Sequence, residues 1–215
     1  MYLLNEQLVF PPVETADADG LLAIGGDLST ERLRLAYSSG IFPWYSSDEP
    51  ICWWSPNPRF VLFPAELKIS KSMQAILKKD DFEFTCNKAF EEVIGHCQKI
   101  IRHGQEGTWI TPQMKAAYIQ LHKMGLAHSA EAWNGGKLVG GLYGIRMGKV
   151  FFGESMFSLQ SNASKYAFIQ YVQLLHQQNC SLIDCQVYTR HLESLGARMI
   201  PRKEFIRLLT TALHT

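Results

Sequence analysis

The chain has 215 residues, of which 47% are hydrophobic and 19% are charged, and its formal net charge is +1. These values are typical of a globular protein with one large domain or two small ones. A net charge near zero excludes attraction of an acidic partner by the chain as a whole, so any nucleic-acid site has to be a local basic patch.

The sequence gives no indication of a membrane or an oxidising compartment. No apolar run approaches the roughly 18 residues of a membrane span, and the N-terminus has an acidic Glu6 and no basic segment typical of a signal peptide. The five cysteines are an odd number without a paired metal spacing. We therefore predict a cytoplasmic protein with reduced thiols, no metal site and no membrane contact.

The first predicted helix follows a Ser29 cap and ends near Gly40. Its apolar face consists of Leu33, Ala36 and Tyr37. The stretch 40–60 then contains three of the five tryptophans among prolines, and it predicts neither a helix nor a long strand. This aromatic loop raises the question of why large apolar side chains lie outside regular structure.

Three helices are predicted next. The first covers 70–79, the second covers 87–102 with Asn87 as its cap, and the third begins at a Thr111 cap and stops at Gly125. Their periodic apolar positions, expected to face inward, are Met73, Ile76, Leu77, Phe90, Val93, Ile94, Cys97, Ile101, Met114, Tyr118 and Leu121.

The pattern changes to strands after residue 126. Alternating segments joined at "NGG" and "RMGK" turns are followed by a helix over 161–178, a buried strand over 181–187 and closing helices over 191–196 and 202–213. This order predicts an α+β protein in which a small N-terminal module (1–62) precedes a larger N-acetyltransferase-like (GNAT-like) acyl-transfer domain (63–215). The turn before helix 161–178 contains no glycine, so a backbone cradle for the pyrophosphate of coenzyme A is poorly supported.

Three polar residues in apolar strand patterns are candidates for chemistry. Glu154 lies in "FFGESMF", and Asp184 and Gln186 lie in "LIDCQV", where a spacing of two predicts one face of a strand. A buried carboxylate needs a partner because its desolvation is costly. Each could instead bind backbone N–H groups at a strand end, and the spacing leaves both interpretations open.

Aromatic and basic residues indicate a second kind of site. Trp44, Trp53, Trp54 and Trp109 either fill the seam between modules or form a stacking surface. Basic side chains gather around two helices and either form a solvated face or bind phosphates. These basic residues are Lys68, Lys71, Lys78, Lys79, Lys99 and Arg102.

Ten segments in order resemble the blocks of the bacterial leucyl/phenylalanyl-tRNA–protein transferase family. They are "GLLAIGGDLS", "AYSSGIFPWY", "WWSPNPR", "EGTWIT", "AHSAEAW", "GGLYGI", "FGESMFS", "NASK", "LIDCQV" and "SLGA". The resemblance implies transfer of Leu or Phe, with Met as a further donor, from aminoacyl-tRNA to the α-amino group of proteins that begin with Arg or Lys. Such products are marked for degradation by the N-end rule pathway. No cofactor is implied, because the acyl donor is the aminoacyl ester.

The resemblance also implies roles for individual residues. Asp184 and Gln186 would lie at the incoming amine, as a general base or as positioning groups, and Glu154 would orient the aminoacyl-adenosine. Trp44 and Trp109 would hold the terminal adenosine, which answers the question of the aromatic loop. The side-chain pocket would be lined by Phe151, Met156, Phe168, Tyr171 and Ile183. The six basic residues above would contact tRNA phosphates, with a strong dependence on salt.

Two other functions compete with this one. A coenzyme A-dependent N-acetyltransferase is disfavoured by the glycine-free turn. A non-catalytic aminoacyl-tRNA-binding module is disfavoured by three polar residues on apolar strands. Near-neutral charge and the lack of a leftover apolar stripe predict a monomer.

Overall fold

The computed structural model describes residues 2–79, 81–100 and 110–214. Its strands form a small N-terminal sheet and a larger sheet. The small sheet, in the spatial order β1-β2-β4-β3, consists of β1 (Tyr2–Leu4), β2 (Leu21–Gly25), β3 (Phe42–Pro43) and β4 (Cys52–Trp54). The aromatic loop therefore contains two short paired strands that the sequence did not predict.

The larger sheet has seven strands in the order β11-β5-β10-β9-β8-β7-β6. They are β5 (Arg59–Leu62), β6 (Glu83–Cys86), β7 (Ala127–Asn134), β8 (Lys137–Met147), β9 (Val150–Ser158), β10 (Leu182–Gln186) and β11 (Arg198–Ile200). Strands β7, β8 and β9 form an antiparallel meander, as their turns predict. Strand β10 pairs parallel with β9 and antiparallel with β5, so β9 and β10 lie at the centre of the sheet.

The helices follow the predicted order and stand close to their predicted limits. They are α1 (Thr30–Ser38), α2 (Lys71–Lys78), α3 (Phe90–Lys99), α4 (Pro112–Lys123), α5 (Ala163–Gln177), α6 (Arg190–Glu193) and α7 (Arg202–His214). The caps predicted at Ser29 and Thr111 are confirmed, because their side-chain oxygens accept the N–H of Arg32 and Met114. Helix α5 is the crossover between the parallel strands β9 and β10.

The predicted cap at Asn87 is wrong. Helix α3 begins after Ala89, whose own N–H is directed at Glu131 Oε1 at 3.4 Å. Asn87 instead has a left-handed backbone (φ 58°), and its side-chain oxygen accepts the N–H of Ser129 at 2.9 Å. Asn87 tolerates this conformation and ties the turn before α3 to strand β7, a long-range contact that a local cap motif does not reveal.

The apolar core joins the two sheets. One cluster of buried side chains includes Trp53 of the small sheet, Tyr118 of α4 and Phe205 of α7, and a second cluster surrounds α5. Trp53 is fully buried, and its Nε1–H donates to the Gly25 carbonyl at 2.9 Å. The predicted α+β class, with a small N-terminal sheet ahead of a larger mixed sheet, is confirmed.

Strand β5 precedes the boundary predicted at residue 62 and belongs to the larger sheet. The division into 1–62 and 63–215 stays a prediction. Among the residues that the structure describes, no helix combines the length and apolarity needed to cross a membrane.

Candidate active site

A cavity of about 330 Å³ opens beside the central strands β9 and β10. Its size falls at the lower end of the range typical of small-ligand pockets. Strand β9 contributes Glu154 and Met156, strand β10 contributes Ile183 and Gln186, and helix α5 contributes Phe168. The remaining walls are formed by Leu142, Tyr143, Gly153, Ser155, Cys185, Val187, Thr189, His191 and Leu192. The cavity is therefore mainly apolar, with a polar end at Glu154 and Gln186.

Two irregularities in strand pairing lie next to this polar end. The register between β8 and β9 shifts at Tyr143/Gly144, opposite Gly153, and the register between β10 and β5 shifts between Asp184 and Gln186. Gln186 has a left-handed backbone (φ 64°), which is uncommon for a residue with a Cβ. Such bulges and left-handed residues concentrate at sites where a side chain has to leave the regular pleat.

Glu154 is held by three neutral donors. The hydroxyl of Tyr37 donates to Oε1 at 2.8 Å and the hydroxyl of Tyr118 donates to Oε2 at 2.9 Å. The side-chain amide of Gln186 donates to Oε1 at 2.9 Å. The two tyrosine oxygens also lie within hydrogen-bonding distance of each other, but each hydroxyl has a single proton, which here is directed to Glu154. Helices α1 and α4 thus meet strands β9 and β10 at the Glu154 carboxylate. Glu154 as a whole residue is 8% exposed.

Burial raises the pKa of Glu154 to about 7, even though the hydrogen bonds from Tyr37, Tyr118 and Gln186 act in the opposite direction. The same burial, together with the neighbouring Glu154 carboxylate, raises the pKa of both tyrosine hydroxyls well above the usual value. The tyrosines are therefore donors at every physiological pH, whereas Glu154 exchanges its proton near neutrality.

Asp184 has a different environment. Its carboxylate accepts two hydrogen bonds from Arg59, Nε to Oδ1 at 2.8 Å and a terminal nitrogen to Oδ2 at 2.7 Å, and both side chains are fully buried. The Arg59 guanidinium is itself stacked between the rings of Phe42 and Phe205 at 4.7 and 4.6 Å. Asp184 Oδ1 also accepts the backbone N–H of Gln186 at 3.0 Å. Both oxygens of Asp184 are thus occupied, and Asp184 is not among the residues that line the cavity.

The predicted pocket residues separate into two groups. Met156, Phe168 and Ile183 line the cavity. Phe151 and Tyr171 are buried and pack edge-to-face with ring centroids 5.0 Å apart, and neither lines the cavity. They belong to the same apolar cluster as Phe168 and Ile183, so they support the wall from behind.

The predicted adenosine contacts lie elsewhere or outside the described part. Trp44 is half-buried in the small sheet, packs against Trp54 with ring centroids 5.9 Å apart, and does not line the cavity. The Nε1–H of Trp54 donates to the Trp44 carbonyl at 2.6 Å. Trp109, like Arg102 of the predicted phosphate contacts, lies outside the described residues. The roles of both tryptophans stay predictions.

The remaining predicted phosphate contacts are all exposed. They are Lys68, Lys71, Lys78, Lys79 and Lys99. Within the described ranges, the three ion pairs involve arginines and none of these lysines. These ammonium groups are therefore available to phosphate oxygens.

Sequence reasoning missed several residues of the site. Tyr37 and Tyr118 were assigned to apolar helix faces, and Arg59 was not singled out. The available signal was the chemistry of the side chain, because a buried tyrosine hydroxyl or guanidinium requires a polar partner that phenylalanine or leucine would not. His191 was also not singled out. It lines the cavity, its Nε2 is buried without a partner in the described part of the chain, and burial lowers its pKa.

No group of three or more potential metal ligands occurs among the residues that the structure describes. Asn162 precedes helix α5 in a left-handed conformation without a side-chain cap, and the turn has no glycine. Cys52, Cys86, Cys180 and Cys185 are free thiols.

The larger sheet thus combines an antiparallel meander, a crossover helix and a parallel central strand pair with polar groups at the pocket, which is the architecture that the sequence predicts. The chain belongs to the leucyl/phenylalanyl-tRNA protein transferase family. The model of that family matches residues 61–210, and the model of the leucyl/phenylalanyl-tRNA protein transferase N-terminal domain matches residues 26–57. This membership confirms the predicted resemblance and the predicted enzyme class, an aminoacyltransferase.

Individual relatives agree along nearly the whole chain. A protein named leucyl/phenylalanyl-tRNA–protein transferase from Flavobacterium johnsoniae is 60% identical over 97% of this chain and 99% of its own length. One of the same name from Christiangramia forsetii is 57% identical over 97% of this chain and 100% of its own length. A solved GCN5-related N-acetyltransferase from Kribbella flavida is 10% identical, with a TM-score of 0.43 over 79% of this chain and 59% of that chain. So distant a likeness has no bearing on function.

Proposed function

We propose that this enzyme transfers leucine or phenylalanine, and also methionine, from aminoacyl-tRNA to the α-amino group of proteins that begin with Arg or Lys. The product would be marked for degradation by the N-end rule pathway. The observation that carries the proposal is the apolar cavity that ends at Glu154 and Gln186. Its volume of about 330 Å³ is of a size that suits one apolar amino-acid side chain with its ester group, and its polar end would face the attacking amine.

The reaction is aminolysis of an ester. The neutral amine nitrogen forms a bond to the carbonyl carbon, the bond from that carbon to the ribose 3′ oxygen breaks, and the nitrogen loses a proton while the leaving oxygen gains one. An α-amino group has a pKa near 8, so much of it is neutral at slightly alkaline pH. Positioning therefore supplies a large share of the rate, and a well-oriented pair of reactants can gain several kcal/mol.

Gln186 is the catalytic residue closest to the amine in this proposal. Because its Nε2 donates to Glu154, the amide oxygen is the end left to accept an N–H from the incoming amine. Asp184 is better suited to positioning than to a general base, since Arg59 engages both of its oxygens and Asp184 accepts the backbone N–H of Gln186. Glu154 orients Gln186 and, through it, the aminoacyl-adenosine.

The amino-acid preference would follow from the walls of the cavity. Met156, Phe168 and Ile183 offer flexible and flat apolar surfaces that suit side chains unbranched at Cβ. Phe151 and Tyr171 hold those walls in place from the adjoining cluster. A β-branched substrate such as valine would meet the wall close to its Cα, and a mismatch of one methylene is worth about 1–3 kcal/mol.

The tRNA would lie across the lysine-bearing surface. Exposed Lys68, Lys71, Lys78, Lys79 and Lys99, together with Arg102, would contact phosphates, while Trp44 and Trp109 would hold the terminal adenosine. Such contacts depend strongly on salt and weakly on tRNA sequence. We also propose that the enzyme acts in the cytoplasm and that it is a monomer. Sedimentation of the purified chain would test the oligomeric state.

The decisive experiment measures transfer of labelled leucine from leucyl-tRNA to two peptides that differ only in an N-terminal Arg or Ala. Transfer to the Arg peptide alone is the expected result. Binding of leucyl-tRNA without transfer to either peptide would instead indicate a binding module. Acetylation of the Arg peptide in the presence of acetyl-coenzyme A would indicate an N-acetyltransferase.

A further inference from the structure

The hydroxyls of Tyr37 and Tyr118 form a buried polar cluster with Glu154 at the polar end of the cavity. Tyr37 comes from α1, within the segment that matches the N-terminal family model, and Tyr118 comes from α4 of the larger domain. Their side chains reach the two different oxygens of Glu154 and also contact each other. Neither tyrosine lines the cavity, so any effect on the reaction has to act through Glu154.

The number of protons in this cluster depends on Glu154. Three oxygen–oxygen contacts join the two hydroxyls and the carboxyl group, and the hydroxyls supply only two protons. With both protons directed to an ionised Glu154, each carboxylate oxygen has a donor, and the contact between the two hydroxyls has none. A protonated Glu154 would bring a third proton, and its O–H would need an acceptor, either a tyrosine oxygen or the amide oxygen of Gln186.

The state of Glu154 decides which end of the Gln186 side chain faces the cavity. An ionised carboxylate is only an acceptor, so Gln186 must present Nε2 to it, at the observed 2.9 Å, and turn its oxygen away. A protonated carboxyl group can donate to the amide oxygen, which would turn the NH₂ group toward the substrate. In that orientation Gln186 would offer a donor to an amine that needs an acceptor.

We propose that Tyr37 and Tyr118 are positioning residues for the transfer reaction: they hold Glu154 ionised, and Glu154 in turn directs the Gln186 amide oxygen toward the attacking amine. The inference rests on the proposed function of the cavity. It assigns to the N-terminal module a part in the chemistry, because Tyr37 belongs to that module's helix.

The surroundings of Glu154 set the direction of the expected effect. Burial raises its pKa, while the hydroxyls of Tyr37 and Tyr118 lower it, so loss of either hydroxyl raises it further. The other titratable or polar groups near the cluster act equally in wild type and variants. They are Gln186 and Asp184 on β10, Arg59 paired with Asp184, Tyr143 on β8 and His191 on α6.

The test compares kcat/KM for leucine transfer to the Arg peptide between pH 5.5 and 9 in wild type, Tyr37→Phe and Tyr118→Phe. Loss of a hydrogen bond to a charged group is worth about 1.5–3 kcal/mol, or roughly one to two pH units. We expect the acidic limb of each Phe variant to move upward by about one unit. Activity should fall about tenfold at pH 6 and recover to within about threefold at pH 8.5. The α-amino group of the peptide titrates identically in all samples, so a difference between the profiles of a variant and wild type comes from the enzyme.

Tyr166→Phe is the matched control. Tyr166 is also buried, and its hydroxyl donates to the Phe82 carbonyl at 2.8 Å, away from the cavity. The pH profile of kcat/KM for Tyr166→Phe should coincide with that of wild type. The Glu154→Gln variant should instead lose the acidic decline in kcat/KM that Glu154 contributes. A loss of equal size at every pH in both tyrosine variants, or an unshifted limb, would overturn the inference.

Two further outcomes are distinguishable. If wild type transfers no leucine at any pH, the proposed function fails rather than the tyrosine assignment. Thermal unfolding identifies a variant that does not fold, in which case the other tyrosine variant tests the same carboxylate through its second oxygen. If neither tyrosine variant folds, wild type is compared with Glu154→Gln. The same acidic limb in the kcat/KM profiles of both proteins would contradict a role for ionised Glu154.

Discussion

The two buried carboxylates near the cavity differ in how they are held. Asp184 is neutralised by a full positive charge from Arg59, whereas Glu154 is held by the neutral donors of Tyr37, Tyr118 and Gln186. Burial raises the pKa of Glu154 to about 7, and the hydrogen bonds from its neutral donors offset only part of that effect.

This contrast explains why two similar residues on adjacent strands can have separate tasks. Asp184 anchors the end of β10 and accepts the backbone N–H of Gln186. Glu154 lines the cavity and can change its proton occupancy near neutral pH. A buried carboxyl group with a pKa near neutrality at a cavity is characteristic of enzyme sites.

The largest expected effect breaks the Asp184 side of the comparison. Arg59→Met would leave a buried carboxylate without its counter-ion, which typically costs about 3–5 kcal/mol. Urea unfolding should show a loss of this size in the free energy of unfolding. A matched control is Arg198→Met, because Arg198 pairs with Glu66 at 3.2 Å on the surface with both side chains half-exposed. Its loss should stay below about 1 kcal/mol.

The double variant Arg59→Met/Asp184→Leu separates an unpaired charge from lost packing. Removing both partners should destabilise the protein less than removing Arg59 alone. Equal losses for Arg59→Met and Arg198→Met would contradict the assignment of a desolvated ion pair.

A smaller effect concerns the pH dependence of stability through Glu154. The pKa of this group is about 7 in the folded chain against an ordinary 4.5. The folded state then binds a proton more tightly, so its contribution is fully present below pH 4.5 and is lost as pH rises through 7. Wild-type stability should therefore fall by on the order of 3 kcal/mol relative to Glu154→Gln across this window. Parallel pH curves for the two proteins would show that Glu154 does not titrate in the window.

The smallest expected effect concerns the aromatic rings that flank the Arg59 guanidinium. Phe42→Leu removes one of the two rings that flank the guanidinium, at 4.7 Å, and keeps an apolar side chain in the small sheet. A cation–π contact of a desolvated arginine is worth about 1–2 kcal/mol, so the unfolding free energy should fall by that amount. The same change in an Arg59→Met background should have a smaller effect, and an equal effect would assign the loss to packing alone.

Much of the local structure could be predicted because it depends on neighbours in the sequence. The caps at Ser29 and Thr111 and the apolar faces of α1 and α4 follow from spacing alone. Asn87 shows the limit, since its side chain bonds to Ser129 on another strand rather than to the helix that follows it. The short strands β3 and β4 were not predicted, because two or three paired residues among prolines and aromatic residues give no alternating pattern.

The candidate site was predicted in part for the same reason. A carboxylate in an apolar strand attracts attention wherever it lies, so Glu154 and Asp184 could be identified without a structure. Of the expected pocket wall, Met156, Phe168 and Ile183 line the cavity, while Phe151 and Tyr171 lie behind it. Whether an apolar side chain lines the cavity or lies behind its wall depends on how the elements pack. The spacing of apolar residues along one helix or strand does not reveal it.

The order of elements, the buried polar residues and the resemblance to a transferase family could be read from the residues alone. The partners of those polar residues depend on how the chain folds. Arg59 lies 125 positions from Asp184, and Tyr37 lies 117 positions from Glu154. Desolvation and ion pairing depend on distance through space, so the two carboxylates on neighbouring strands acquired different partners only when the chain folded.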